Sequence, residues 1–231
     1  MSSMKGEGPS KSLLVAVAAV FGGLASAIAM LRLSFPFPLL PYLKFDLAEL
    51  PVVFSFLAFG PYLGLLTSVV HWLVLTIVTT GEWLWPIGPF MKFLAVLSTF
   101  AGIWLGSRLF VKSGEHGLGL LLLRMGVLAA VARAIIMSAI NYILLVVIVP
   151  ESLAFVNYLL STTLGLKLGS ELELILLVMA LTSFYNVAHV ALSLIPPAIV
   201  VQRIERVGAF IRMAGNSWMG TLIRRTHNPG E

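Results

Sequence analysis

Five polar side chains lie within segments that are otherwise apolar enough to cross a membrane: His71, Arg133, Asn141, Asn186 and His189. Polar and ionisable groups are costly in lipid, so each of them is a candidate functional residue. Asn186 and His189 are three positions apart and therefore share one face of a helix. Amides and an imidazole offer donors and acceptors, which suits a neutral heterocycle with alternating C=O and N–H groups. The alternative for each residue is a hydrogen bond between helices that only stabilises the bundle.

Small residues recur along the first apolar segment at Ala18, Gly22, Ala25 and Ala29. On a helix these four positions lie within about 60° of one another. Small side chains let a second helix approach closely in lipid. The pattern leaves two interpretations open, docking on another subunit or packing against a helix of the same chain.

The sequence lacks the common motifs of catalysis and metal binding. It has no Walker A loop, no His-Glu-x-x-His helix and no paired acidic motif for Mg²⁺, and its ten carboxylates are scattered. Cysteine is absent, which excludes thiolate nucleophiles and disulfides. We therefore expect no enzyme activity, no metal and no cofactor, and energy from ATP would have to come from a partner chain.

The composition places these side chains in a membrane. Of the 231 residues, 59% are hydrophobic and only 11% are charged, against about 25% charged in a typical soluble domain. This excludes a soluble enzyme, a nucleic-acid module and a disordered chain. It predicts an all-α, polytopic membrane protein with six transmembrane helices, ordered outer loops and membrane lipid around it. The helices are expected at about 12–33, 47–59, 61–80, 88–110, 118–149 and within 172–207.

The remaining segments are expected to be tails and connections. Residues 1–11 and 208–231 are predicted to be cytoplasmic tails, the second one basic, on either side of a transmembrane domain at 12–207. Residues 151–171 are predicted to form a lid or a short interfacial helix. The last helix is too long for one straight span, so a break is expected near 183–186 or at Pro196-Pro197. Gly60-Pro61 should separate the second and third helices, with Pro61 in a first turn.

The distribution of Lys and Arg predicts the orientation. With six spans, ten of these residues fall on the side of both tails: Lys5, Lys11, Arg108, Lys112, Arg124, Arg203, Arg206, Arg212, Arg224 and Arg225. Four fall on the opposite side: Arg32, Lys44, Lys92 and Lys167. Cytoplasmic flanks hold the excess of positive charge. A multi-pass cell-membrane protein with both termini in the cytoplasm is therefore expected, with loops 34–49, 81–89 and 151–171 outside.

The segment 35–64, FPFPLLPYLKFDLAELPVVFSFLAFGPYLG, resembles the substrate-binding (S) component of energy-coupling-factor (ECF) vitamin transporters, and looks most like the riboflavin type. That family has a Pro-rich loop, Tyr-Leu-x-x-Asp, an acidic residue and Gly-Pro-x-x-Gly at this spacing. Weaker matches are Pro86-Ile87-Gly88-Pro89-Phe90, Asn141-Tyr142 before Pro150, and Asn186-x-x-His189. The resemblance covers about residues 12–207.

The resemblance implies a vitamin that binds from outside, beneath the first outer loop. Its ring would contact the Leu39 and Leu40 backbone, Asn141, Asn186 and position 189. The small residues of the first helix would dock on a transmembrane coupling (T) subunit, which is driven by two ATPase subunits.

The sequence departs from the riboflavin type at His189, which replaces a lysine, at His71-Trp72, which replaces Lys-Asn, and at Lys92, which replaces an asparagine. A different vitamin or heterocycle therefore stays open. So do an intramembrane lipid-modifying enzyme and a structural or assembly protein with no small ligand.

Overall fold

The computed structural model describes residues 11–81, 85–110, 118–166, 168–206 and 217–227. Within these ranges the chain forms eight α helices: α1 Lys11–Met30, α2 Glu49–Phe59, α3 Pro61–Val78, α4 Ile87–Phe110, α5 Leu118–Tyr142, α6 Ser152–Leu164, α7 Glu171–Arg206 and α8 Trp218–His227. A π-helical segment, Ile143–Ile148, extends α5. Strands β1 (Ser34–Phe37) and β2 (Leu40–Asp46) form an antiparallel hairpin between α1 and α2.

Four described helices are long and apolar enough to cross a membrane, namely α3, α4, α5 with its π-helical extension, and α7. The apolar stretches of α1, α2 and α6 are shorter. The 11 residues of α2 span only about 16 Å at 1.5 Å per residue, roughly half of a hydrocarbon core. The chain is therefore a multi-pass membrane protein, while the count of six spans stays a prediction.

The core is built around α2, which is mostly apolar, has only Glu49 and Ser55 as polar residues, and is surrounded by other helices. Val52, Val53 and Leu57 are fully buried. Phe56 stacks on Phe100 of α4, with ring centroids 4.3 Å apart, and meets Trp218 of α8 edge-on at 5.2 Å. This short helix thus ties the N-terminal half of the chain to α4 and α8, and α1, α3 and α7 also pack against it.

The junction at Gly60-Pro61 is confirmed. Gly60 ends α2 with φ near 100°, a conformation that strongly favours glycine. Its N–H donates to the Phe56 carbonyl at 2.9 Å. Pro61 begins α3, where its missing N–H would have had no partner within the helix.

The all-α prediction missed the β1–β2 hairpin. Prolines at positions 36, 38 and 41 argued against a helix, but they are compatible with a two-stranded ladder, in which each strand has one unpaired edge. The short helix expected within 151–171 is confirmed as α6.

Two further expectations are wrong. The last long helix does not break, because α7 is continuous through Pro196 and Pro197. Proline has a helical φ, and α7 packs along α5 and α2, so the lost N–H donors do not end the helix. Residues 217–227 are also not a simple tail, because α8 buries Met219 and Leu222 in the core. The rest of both predicted tails, 1–10, 207–216 and 228–231, lies outside the described residues.

Candidate ligand-binding site

A cavity of about 390 Å³ lies beneath the β1–β2 hairpin, between α4, α5, α6 and α7. Sites for small organic molecules commonly enclose roughly 300 to 1,000 Å³. Its polar lining includes Asp46, Glu49, Lys92, Arg133, Asn141, Asn186 and His189. Its apolar and aromatic lining includes Tyr42, Leu75, Pro89, Met137, Leu144, Phe155 and Tyr185. A flat, partly polar ligand would suit this combination.

A buried ion pair forms one wall. Arg133 of α5 donates from Nη1 to Glu49 Oε2 at 2.7 Å and from Nη2 to Glu49 Oε1 at 2.9 Å. Both side chains are almost fully buried. Charged groups are stable at such depth only when they are paired and hydrogen-bonded. This bidentate contact therefore fixes the first turn of α2 against α5, and Thr99 of α4 accepts a further bond from Nη1 at 3.2 Å.

The two asparagines also line the cavity. Asn186 accepts from Arg133 Nε at 3.0 Å and donates to the Thr182 carbonyl at 2.8 Å, which leaves its second amide hydrogen. Asn141 donates to the Met137 carbonyl at 2.8 Å. Its Oδ1 has no hydrogen-bond partner among the described residues. Together they retain donor and acceptor capacity toward the cavity.

Asp46 ends β2 and faces Lys92 of α4. The Lys92 Nζ lies 2.5 Å from Asp46 Oδ2, and Asp46 Oδ1 accepts from the Ala48 N–H at 2.9 Å. The helix α2 begins at Glu49, and its N-cap residue, Ala48, makes no side-chain hydrogen bond. The carboxylates of Asp46 and Glu49 are instead each paired with a basic residue of another helix.

His189 of α7 is buried against α5 and the hairpin. Its Nδ1 lies 3.0 Å from Arg133 Nη2 and 2.9 Å from the Tyr185 hydroxyl. Its Nε2 lies 3.3 Å from the Asp46 backbone nitrogen. His71, another candidate, is not in this cavity. It lines a much smaller void of about 10 Å³.

Leu39 and Leu40, expected to contact the ligand through their backbone, do not line the cavity. Leu39 lies in the hairpin turn, and Leu40 is buried in an apolar cluster with residues of α6 and α7. The hairpin residues that line the cavity come slightly later, in β2, and include Tyr42 and Asp46.

Tyr42 is a residue that the sequence analysis missed. Its hydroxyl is buried and has no hydrogen-bond partner in the part of the chain that is described. Burial raises the pKa of Tyr42, so the hydroxyl stays protonated and can donate. Glu49, Lys92 and Tyr185 were also missed as site residues. Glu49 could have been recognised from the sequence, because it is a carboxylate at the start of a short apolar helix.

The small-residue stripe of α1 faces the same chain. Ala18, Gly22 and Ala25 are buried and Ala29 is partly buried. A Cβ added at Gly22 would lie only 2.6 Å from Val70 Cγ1 of α3. The expectation that this stripe docks on a coupling subunit is therefore corrected in favour of the intrachain alternative, because α3 already covers it.

A second set of small residues lies exposed on the opposite side of α1: Ala16, Ala19, Gly23 and Ala27. A Cβ added at Gly23 would have no neighbour within 4 Å among the described atoms. No described residue packs against Gly23, so a helix of another protein could approach this face of α1 closely.

Comparisons with known proteins give sequence and fold similarity. No family model matches the chain. The riboflavin transporter RibU of Staphylococcus aureus (strain TCH60) is 31% identical over 125 residues, which are 52% of this chain and 60% of the relative. The riboflavin transporter FmnP of Bacillus subtilis (strain 168) is 31% identical over 121 residues, with the same coverage. The match thus spans about three fifths of the length of these relatives.

A solved structure, of the S component of a bacterial ECF transporter, superposes with a TM-score of 0.63 at 18% identity, covering 86% of this chain and 98% of the other. These similar proteins are transporters, which supports the expectation that the chain is not an enzyme. The resemblance to the riboflavin type of S component is therefore confirmed, because the chain has the fold of an S component and is similar in sequence to two riboflavin transporters.

Proposed function

We propose that this chain is the riboflavin-binding S component of an ATP-driven ECF-type uptake transporter. The observation that carries the proposal is the cavity beneath the hairpin, where Asn141, Asn186 and Tyr42 retain unused hydrogen-bonding groups. The pyrimidine edge of a flavin alternates C=O and N–H groups, and side-chain amides can complement both. Riboflavin is the transported cargo in this proposal and not a cofactor.

The charges of the cavity support an uncharged ring as the ligand. Arg133 is neutralised by Glu49, and Lys92 by Asp46, so two of the three described Lys and Arg side chains that line the cavity are already paired within the protein. Lys44, the third, is exposed. A neutral heterocycle leaves both pairs intact, whereas a buried anionic ligand would compete with the carboxylates for their partners.

The partners follow from the same proposal. A coupling subunit, driven by two ATPase subunits, would dock on the exposed small residues of α1 centred on Gly23, since small residues allow close helix packing in lipid. Both termini would lie in the cytoplasm, in agreement with the Lys and Arg distribution.

The direct test is ligand binding by the purified full-length chain. Riboflavin absorbs visible light and fluoresces, so a protein purified from riboflavin-containing medium should be yellow. After removal of the vitamin, titration should quench the fluorescence in a saturable way. A preparation that is colourless and shows no saturable quenching by micromolar riboflavin would refute the proposal.

A second candidate is an S component for a different flat heterocycle. It is favoured by His189, which stands where the riboflavin type has lysine and whose two nitrogens already face protein partners. Competition of riboflavin binding by other vitamins and by nucleobases separates the two candidates, because the true cargo should compete at the lowest concentration.

A further inference from the structure

Strand β2 has one edge paired with β1 and one edge facing α7. On the paired side, the register joins Phe45 to Phe35, and the Leu47 N–H donates to the Leu33 carbonyl at 3.2 Å. Residues two apart in a strand direct their backbone groups to the same edge. Lys44 and Asp46 therefore present their carbonyl and N–H groups to the other edge.

Two side chains of α7 bond to that second edge. The Tyr185 hydroxyl donates to the Lys44 carbonyl at 2.5 Å, and the Asp46 N–H donates to His189 Nε2 at 3.3 Å. Tyr185 and His189 are four residues apart and so lie one above the other on α7. They provide hydrogen-bond partners for the Lys44 carbonyl and the Asp46 N–H, as a third strand would.

The contacts with Asp46 and Tyr185 favour one neutral tautomer of His189. The single hydroxyl hydrogen of Tyr185 is used by the Lys44 carbonyl, which can only accept. The 2.9 Å contact between Tyr185 and His189 therefore requires a hydrogen on Nδ1. The Asp46 N–H requires a bare Nε2, which is the same neutral tautomer. The 3.0 Å contact of Nδ1 with Arg133 Nη2 favours the other tautomer, because Nη2 carries two hydrogens and Glu49 uses only one of them. Glu49 Oε1, 3.6 Å from Nε2, favours it as well. The Asp46 and Tyr185 contacts thus favour a hydrogen on Nδ1, whereas the Arg133 and Glu49 contacts favour one on Nε2.

With a hydrogen on Nδ1, one continuous chain of hydrogen bonds runs from the Asp46 N–H through His189 and Tyr185 to the Lys44 carbonyl. Both of its ends lie on β2, and both nitrogens of His189 are occupied. Neither nitrogen is left to bind a ligand. The role expected for His189 from the riboflavin type, a donor to the ligand ring, is therefore not the one that these contacts support.

We propose that Tyr185 and His189 are positioning residues that hold β2 over the cavity and so set the rates at which a ligand enters and leaves. We call the hydrogen bonds from Tyr185 and His189 to β2 the clamp. The identity of the ligand as riboflavin rests on the proposed function, whereas the clamp does not. Lys92 secures the same end of β2 from α4 through Asp46, so the hairpin is attached on both sides of the cavity.

The clamp has a kinetic signature that a ligand contact lacks. If β2 must move for the ligand to pass, a weaker clamp raises the open fraction in the empty and in the loaded protein alike. The association and dissociation rate constants then rise together and Kd changes little. Loss of one hydrogen bond of ordinary strength changes the open fraction by about 2- to 12-fold. A lost ligand contact would instead raise the dissociation rate constant and Kd, with association unchanged.

Stopped-flow fluorescence of riboflavin with the detergent-purified full chain tests the proposal. Tyr185→Phe and His189→Leu should each raise both rate constants about 2- to 12-fold. His189→Gln, which can accept from the Asp46 N–H, should recover part of the wild-type rates. Tyr158→Phe is the matched control, since Tyr158 is exposed on α6 and its change should leave both rate constants unaltered. Unchanged rates in Tyr185→Phe, or a rise in dissociation alone, would overturn the proposal.

Hydrogen exchange without ligand gives an independent readout. Peptides that contain Lys44 to Leu47 should exchange faster in Tyr185→Phe than in wild type, while peptides from the middle of α4 should not. Equal exchange in β2 would contradict the clamp whatever the ligand is. Failure of the wild type to bind riboflavin, combined with faster exchange in the variant, would refute the proposed function and leave the clamp standing.

Discussion

The buried pair of Glu49 and Arg133 allows a sharp test of what holds this site together. Removing one partner leaves the other charge buried and uncompensated, which in proteins costs about 3 to 5 kcal/mol. Here the bidentate geometry and near-complete burial place the pair in that class. For a chain of this size such a loss corresponds to roughly 6 to 20 °C in Tm. Glu49→Gln and Arg133→Met should each lower Tm by that amount.

The double variant separates charge pairing from other contributions. Glu49→Gln combined with Arg133→Met removes both charges, so no buried charge is left uncompensated, which is the main cost of each single change. The double variant should therefore be more stable than either single variant.

The assay is thermal unfolding of the detergent-purified protein, monitored by fluorescence-detected size exclusion. Arg108→Met serves as the control, since Arg108 is exposed at the end of α4 and its loss should change Tm by little. If the loss in the double variant equals the sum of the two single losses, the side chains stabilise the fold independently and the reasoning fails.

Three other predictions concern ligand, partner and orientation. Asn141→Leu should weaken riboflavin binding about 5- to 150-fold, the effect of about 1 to 3 kcal/mol for an unmade buried hydrogen bond, as measured by isothermal titration. Asn186→Leu should weaken riboflavin binding by a similar factor and also lower Tm, because it leaves Arg133 Nε unpaired. Unchanged affinity in both variants would exclude these amides as ligand contacts. Gly23→Leu should abolish copurification with a coupling subunit while Kd for riboflavin is unchanged. Gly22→Leu should instead lower Tm, because it forces α1 away from α3. The reverse result would restore the buried stripe of α1 as the docking face. In this cysteine-free chain, a cysteine at position 8 should resist an impermeant thiol reagent added outside intact cells, and its labelling would reverse the predicted orientation.

The sequence alone predicted most of the helices. Apolar runs in lipid must satisfy their backbone groups internally, and helices do so within one segment. Gly60 and Pro61 gave the boundary of α2 and α3, because each residue has one favoured place at a helix end. The resemblance around 35–64 pointed to the hairpin region as a wall of the site, although the strands themselves were missed, since prolines exclude a helix without indicating a ladder.

Only the tertiary structure decided which polar groups meet. Glu49 and Arg133 are 84 positions apart, and no local pattern states that one charge will neutralise the other. The sequence placed His189 among the ligand contacts, yet in the structure its Nε2 faces the backbone of β2 and its Nδ1 faces Tyr185 and Arg133.

The same limit applies to α1, which has small residues on two opposite faces. Helical periodicity shows both faces equally well, and it is the position of Val70 on α3 that buries Gly22 and leaves Gly23 exposed. Helices form from interactions within one segment and can be predicted from it. Burial depends on neighbours distant in the sequence, and those are fixed only when the helices pack.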